Sequence, residues 1–190
     1  MAFNGMGITS LVLPEGLSTI GNNAFSDNVI LTVSFPSTLI TIGEYSFWTN
    51  YLSNINIPSS VTMIDDGAFN DNLLPNNQAF IYNRNGDGSV DYTNIRSYGG
   101  ANRTSVVVPN GVTRLDHSSF ESNDITSLTL PSGLITIAYA ALYDNKLSSL
   151  NIPNTVTDIE GAAIGANHEL TSLVLPPNLV TLGNGALHDT

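Results

Sequence analysis

Apolar residues recur along this chain on a fixed ruler, and prolines mark its divisions. Pro14, Pro36, Pro58, Pro109, Pro131, Pro153 and Pro176 are separated by 22, 22, 51, 22, 22 and 23 residues. Three residues after each proline stands Leu17, Leu39, Val61, Val112, Leu134, Val156 or Leu179, and six after it Ile20, Ile42, Ile64, Leu115, Ile137, Ile159 or Leu182. Ten after it the residue is small (Ala24, Ser46, Ala68, Ser119, Ala141, Ala163, Ala186), and eleven after it large (Phe25, Phe47, Phe69, Phe120, Leu142, Ile164, Leu187). Ahead of the next proline the chain alternates, as in "ITSLTL" and "LSSLNI", which predicts a half-buried strand. The small–large pair predicts a tight turn of short 3₁₀ or single-turn helical form, closed by a core plug. One unit of this length cannot bury its apolar set alone, whereas stacked copies can. The expectation is a strand-rich solenoid of about seven coils, with parallel pairing at roughly 4.8 Å between coils.

Fourteen residues after the prolines stands an asparagine column: Asn28, Asn50, Asn72, Asn123, Asn145 and Asn167. Stacking brings these amides together at a turn. An amide both donates and accepts, so it can satisfy backbone groups that the turn leaves open. The column is therefore read as a structural ladder.

The interval of 51 holds one repeat and an insertion, placed at residues 73–102. Within it, "QAFIY" and "SVDY" flank a glycine-rich turn, which predicts a hairpin. Its tip, "NRNGDGSVDYTN", also spaces oxygen-bearing side chains like a calcium loop. Asn83, Asn85, Asp87 and Asp91 would be the ligands. Against calcium stand Asn94 in place of a bidentate Glu, Arg84 inside the loop, and strand-like rather than helical flanks. The tip is read as a turn first and a calcium site second. No other cofactor is expected.

The segments "ITSLTLPSGLITIAYAALYDN" and "LSNINIPSSVTMIDDGAFNDN" resemble BspA-like leucine-rich repeats of bacterial surface proteins. That pattern runs Leu-x-x-Leu-x-Ile-Pro, then Val-x-x-Ile-Gly-x-x-Ala-Phe. The Asn column departs from it, since the family often carries Cys there, and the later copies replace Phe by Leu142, Ile164 and Leu187. The resemblance implies a leucine-rich repeat solenoid over residues 1–190. It also implies a secreted or cell-surface location, and adhesion to host or microbial proteins. Ala2-Phe3 fits the small–large pair and Thr190 stops short of a full unit, so the array is expected to be cut at both ends, with flanking repeats or domains. The opening residues show no signal peptide.

Composition narrows the function classes. Sixteen acids face five bases, a net charge of −11, which disfavours nucleic acid as a partner. No apolar run approaches the roughly 20 residues of a membrane span. There is no cysteine, which excludes disulfides and thiolate chemistry. His117, His168 and His188 fall at different offsets. The carboxylates of Glu44, Asp65, Asp66, Asp116 and Glu160 share neighbouring columns, but a repeat surface lacks the enclosed pocket that would set their pKa values apart. No catalytic motif appears, and an enzyme is not expected. Aromatic residues at outward offsets, Tyr45, Trp48, Tyr51, Tyr139 and Tyr143, are the candidate ligand-binding set, for a protein or a glycan. The alternative to a recognition module is a rigid structural spacer or a glycan-binding accessory module.

Overall fold

A computed structural model describes residues 2–190. The chain folds as two compact units. Unit 1 runs to Asp91 and takes in Arg96–Ala101, and unit 2 is Tyr92–Ile95 with Asn102–Thr190. Each is a β-solenoid of stacked turns. The described residues make about eight turns of about 22 residues, against the seven that the prolines predict.

In unit 1, β1 (Ser10–Val12), β2 (Thr19–Ile20), β3 (Thr32–Ser34), β4 (Thr41–Ile42) and β5 (Met63–Ile64) are all short. β1 pairs in parallel with β3, and β2 with β4 and β4 with β5, so that Ile20, Ile42 and Ile64 lie in one register. The hairpin follows as β6 (Phe80–Arg84) and β7 (Val90–Tyr98). In unit 2, β8 (Val106–Val107), β9 (Arg114–Leu115), β10 (Leu128–Thr129), β11 (Thr136–Ile137), β12 (Leu150–Asn151), β13 (Asp158–Ile159), β14 (Leu173–Val174) and β15 (Thr181–Leu182) repeat the scheme. There Ile95, Leu115, Ile137, Ile159 and Leu182 are in register. The alternating segments ahead of six of the seven ruler prolines form strands β1, β3, β8, β10, β12 and β14, whereas the one ahead of Pro58 (residues 52–57) forms none, and a second strand site follows each of the seven. That second site is too short to show any alternation in sequence.

No helix forms among the described residues, which corrects the expected 3₁₀ or helical turn. Its hydrogen bonds are those of isolated turns, such as Ala24 N–H to the Gly21 carbonyl at 3.2 Å and Ser46 N–H to the Gly43 carbonyl at 3.2 Å. Left-handed residues flank the small–large pair in each coil. Asn23, Tyr45, Ser118, Ala140 and Ala162 precede it, and Asp27, Thr49, Asp71, Ser122, Asp144 and Ala166 follow it, all with φ between 50° and 55°. A right-handed helix cannot propagate through such a residue. Asp and Asn adopt this region readily, but Thr49 is β-branched and strained there.

The core of unit 1 is a stack of rings. Phe3, Phe25, Phe47 and Phe69 follow one another at 5.5, 5.5 and 5.3 Å, and Phe35 sets its edge against Phe47 and Phe69. In unit 2 Phe120, Leu142 and Ile164 fill the same column, each fully buried.

The asparagines lie beside this column. Asn50 Nδ2 donates to the carbonyls of Phe25 (2.9 Å), Phe47 (3.2 Å) and Trp48 (3.3 Å), while its Oδ1 accepts Ile30 N–H at 3.0 Å. Asn72 does the same for Phe47, Phe69, Asn70 and Leu52. Asn145 serves Phe120, Leu142, Tyr143 and Ile125, and Asn167 serves Leu142, Ile164, Gly165 and Leu147. Asn28 repeats the pattern at the first coil, and Asn123 donates to the Glu121 carbonyl at 3.0 Å.

Of the segment at 73–102, only residues 80–98 form the hairpin. Leu74 and Ala79 are fully buried and continue the repeat, and Ile81 of β6 joins the unit 1 core. The hairpin tip does not project. A Cβ on Gly88 would overlap the Ser59 carbonyl, so this buried glycine (φ 81°) lets the tip lie against the Pro58 coil.

Replacing Asn145 by Asp removes the donors while keeping the shape, and strands buried carbonyls. It should lower unfolding stability at neutral pH by about 2–4 kcal/mol in urea denaturation. Ser46 goes the other way. Its hydroxyl is buried with no hydrogen-bond partner, at a column position where Ala24 and Ala68 stand in neighbouring coils. Ser46→Ala should raise stability by about 1 kcal/mol in the same assay.

Candidate recognition surfaces

Tyr45, Trp48 and Tyr51 all come from the Pro36 coil, in unit 1. Trp48 follows Phe47 and precedes the left-handed Thr49, and the turn that buries the phenylalanine leaves the indole half-buried. The Tyr45 and Trp48 rings meet edge-on, 6.1 Å apart at 61°. Tyr45 lies over Gly67 of the next coil, where a Cβ would stand 2.6 Å from its ring. Tyr51, three residues beyond Trp48, is 49% exposed. Tyr139 and Tyr143 belong to unit 2. They fold down in the same manner, over Gly161 and Gly165, where a Cβ would stand 3.5 and 3.2 Å from their rings. Tyr139 stays 56% exposed. Hence the candidate aromatics fall into two separate groups. The paired glycines are the sequence signal that tells which rings lie flat.

The carboxylates of the neighbouring columns are held by partners. Asp66 pairs with Arg96 at 2.7 Å, and Arg96 also donates to Asn83 Oδ1 at 3.2 Å. Burial, together with the adjacent Asp66, pushes the Asp65 carboxyl up, against the pull of Arg96. In unit 2, Arg114 donates to Asp116 at 2.6 Å and to Glu160 at 3.2 Å. Glu160 also accepts the Tyr139 N–H at 3.0 Å and lies 3.3 Å from His117 Nε2. Hydroxyls of Thr157 and then Thr181 hold the Asp158 carboxyl below its usual range. Sequence reading missed Arg114 as the centre of this network, because its partner Glu160 lies two coils away.

The four residues considered for calcium are placed around the hairpin turn. Asp87 Oδ1 accepts the Ser89 N–H at 2.9 Å and the Ser89 hydroxyl at 2.6 Å, while Asn85 Nδ2 donates to Ser89 Oγ at 2.9 Å. Asn83 lies on β6, and its Oδ1 is engaged by Arg96; Asp91 lies on β7. Among the described residues, no group of three or more His, Cys, Asp or Glu side chains is arranged to hold a metal ion. The polar strand columns face solvent: Thr9, Ser10, Ser53 and Asn54 in unit 1, and Thr126, Ser127, Ser148 and Ser149 in unit 2, are all exposed. No helix among the described residues is long and apolar enough to cross a membrane.

Known proteins place this architecture. The pattern of the BspA type leucine rich repeat region matches residues 1–84 and 93–190, in six copies. The unmatched residues between are the hairpin tip and the start of β7. A leucine rich cell surface protein from Faecalibacterium prausnitzii is similar in structure, with 21% identity and a TM-score of 0.75 over 98% of this chain and 53% of that one. The pneumococcal vaccine antigen PcpA is similar at 27% identity and a TM-score of 0.74, over 95% of this chain and 48% of that one. A leucine-rich repeat protein from Bacteroides ovatus follows at 20% identity and a TM-score of 0.62, over 99% and 49%. The chain thus spans about half the length of these structures. A comparison with curated protein sequences gives no match. With the repeat pattern covering nearly its whole length and the coils stacked as described, the chain belongs to the BspA type leucine-rich repeat family.

Proposed function

We propose that this chain is a non-catalytic recognition and adhesion module of a bacterial surface or secreted protein, binding protein through its repeat surface. One observation carries the reading. The buried columns hold apolar residues or asparagine coil after coil, while an exposed column beside them changes freely, from Tyr51 to Leu73, Asp124, Lys146 and His168 at one offset. A rigid frame with variable outward positions suits many shallow contacts. The location is supported by the name of the Faecalibacterium protein, a cell surface protein. Flat arrays of hydroxyl side chains and half-exposed rings are of the kind that protein interfaces use.

Binding of the intact chain to immobilised extracellular matrix proteins and to bacterial cells tests this. Saturable binding to at least one protein surface is the expected result. A response on a glycan array alone, abolished in Trp48→Ala, would replace it by the glycan-binding reading. The absence of any binding would leave the spacer.

The hairpin tip is proposed to act as a turn, not as a calcium loop. Its oxygens are engaged by the turn itself, and the Ser89 hydroxyl, followed by its N–H, holds the Asp87 carboxyl below the usual range. A depressed carboxylate pKa means that the turn contact is complete above the unfolded value. The contact is then lost as pH falls through the folded one. The Ser89 amide resonance should therefore titrate with a midpoint below the ordinary Asp value of 3.8, and Ser89→Ala should move the Asp87 midpoint back up. Millimolar calcium at neutral pH should leave that resonance where it is; a saturable shift would restore the metal site.

A further inference from the structure

The Pro36 coil differs from its neighbours at the positions around its left-handed turn. At the offset of Tyr45 the other unit 1 coils carry Asn23 and Gly67, and at the offset of Trp48 they carry Ser26 and Asn70. The two rings form a corner at 61°, not a flat platform. The main chains of acidic residues on the two neighbouring coils bond to this turn. Asp27 of the preceding coil donates its N–H to the Trp48 carbonyl at 2.9 Å, and the Asp71 carbonyl of the following coil accepts Asn50 N–H at 3.1 Å. Glu44 directly precedes Tyr45. Asp27 is held by the Asn4 amide at 2.7 Å, a neutral donor that leaves the carboxylate charge in place.

The field of unit 1 has the same sign. It carries eight acids against two bases, and of those bases Arg96 is matched to Asp66 and Arg84 donates to the Gly88 carbonyl inside the hairpin. Aromatic faces are themselves negative, and a cation set against them is stabilised further by carboxylates nearby. A sugar ring prefers a flat stacking face, whereas an edge-on corner with acidic residues on both neighbouring coils suits a compact positive head group.

We propose that the Tyr45–Trp48 corner, with Asp27 and Asp71, binds lysine or arginine side chains of a partner protein segment. This rests on the protein-recognition reading above and names the chemistry of one contact within it. The geometry needs no movement of the frame, because Tyr45 is seated on Gly67 and both acids sit at left-handed turn positions that Asn can also occupy.

Trp48 is the one tryptophan of the chain, so its emission reports on the corner directly. The probe is a peptide of alternating Lys and Ser, with a Glu-Ser peptide as control. A saturable change in Trp48 emission with the first and none with the second is expected, weakening as salt rises past about 0.1 M. Trp48→Ala, followed by anisotropy of the labelled Lys peptide, should weaken binding about tenfold. The double variant Asp27→Asn/Asp71→Asn, which preserves side-chain shape and turn conformation, should do the same while leaving the thermal melt in place. Tyr143→Ala/Asp144→Asn in unit 2 should change nothing. No Trp48 response, or equal losses from the unit 2 variant, overturns the proposal. The outcome separates from the broader reading. If a matrix protein binds with unchanged affinity to Trp48→Ala and to the double Asn variant, recognition stands and the cation corner falls. If no protein surface binds at all, the recognition reading falls on its own experiment.

Discussion

A buried primary amide at one position in six successive repeats is the contact on which the stacking depends. Every turn of a solenoid leaves backbone carbonyls and N–H groups pointing inward, where no strand ladder reaches them. Asn50 satisfies carbonyls of its own coil and of the coil before, and accepts an N–H from that earlier coil. A hydroxyl could not donate twice, and a carboxylate could not donate at all. The amide is also short enough to sit next to the phenylalanine column without displacing it. Packing and polar satisfaction therefore act at the same place, and neither could be removed without exposing the other.

The hairpin shows what the ladder requires by showing how it is replaced. Ile30 and Leu52 give their N–H groups to Asn50 and Asn72, but Leu74 gives its own to the Gly99 carbonyl at 2.9 Å. Phe69 N–H, which by analogy with Phe47 would bond a main-chain carbonyl, bonds the Ser97 hydroxyl at 2.9 Å. Ser97 in turn donates to Asn70 Oδ1 at 2.6 Å. Gly99 is glycine because a Cβ there would stand 2.6 Å from the Phe69 carbonyl. The Ser-Tyr-Gly-Gly sequence that closes the insertion is thus a backbone substitute for one asparagine and its turn.

The same division between frame and surface runs through the site. Residues that define the coil are buried and uniform, and left-handed turn residues fix where outward side chains emerge. Tyr45 and Thr49 occupy strained positions on either side of Trp48, a cost of order 1–2 kcal/mol each that the packed frame bears. In the two neighbouring coils Asn23 and Asp27, and Gly67 and Asp71, meet the same backbone demand with less strain. The Pro36 coil thus holds its rings in a fixed orientation at the expense of local stability.

Much of this was legible from spacing. The proline ruler, the apolar columns and the parallel register are consequences of a repeat length that stacking must keep constant, so one copy predicts the next. The aromatic residues were visible as outward offsets, and the hairpin as two strand-like runs about a glycine turn. The turn conformation was not legible, because Ala162 and Thr49 at positive φ run against local preference and are imposed by their neighbours. Nor was the Arg114 network, which joins residues 46 apart through stacking. By itself the sequence determined the coil, its period and its buried columns, since these follow from repeated local burial. Only the tertiary structure decided which polar atoms meet across coils, which rings lie over glycine, and that the hairpin tip folds back onto Ser59, because each depends on contacts between residues that are distant along the chain.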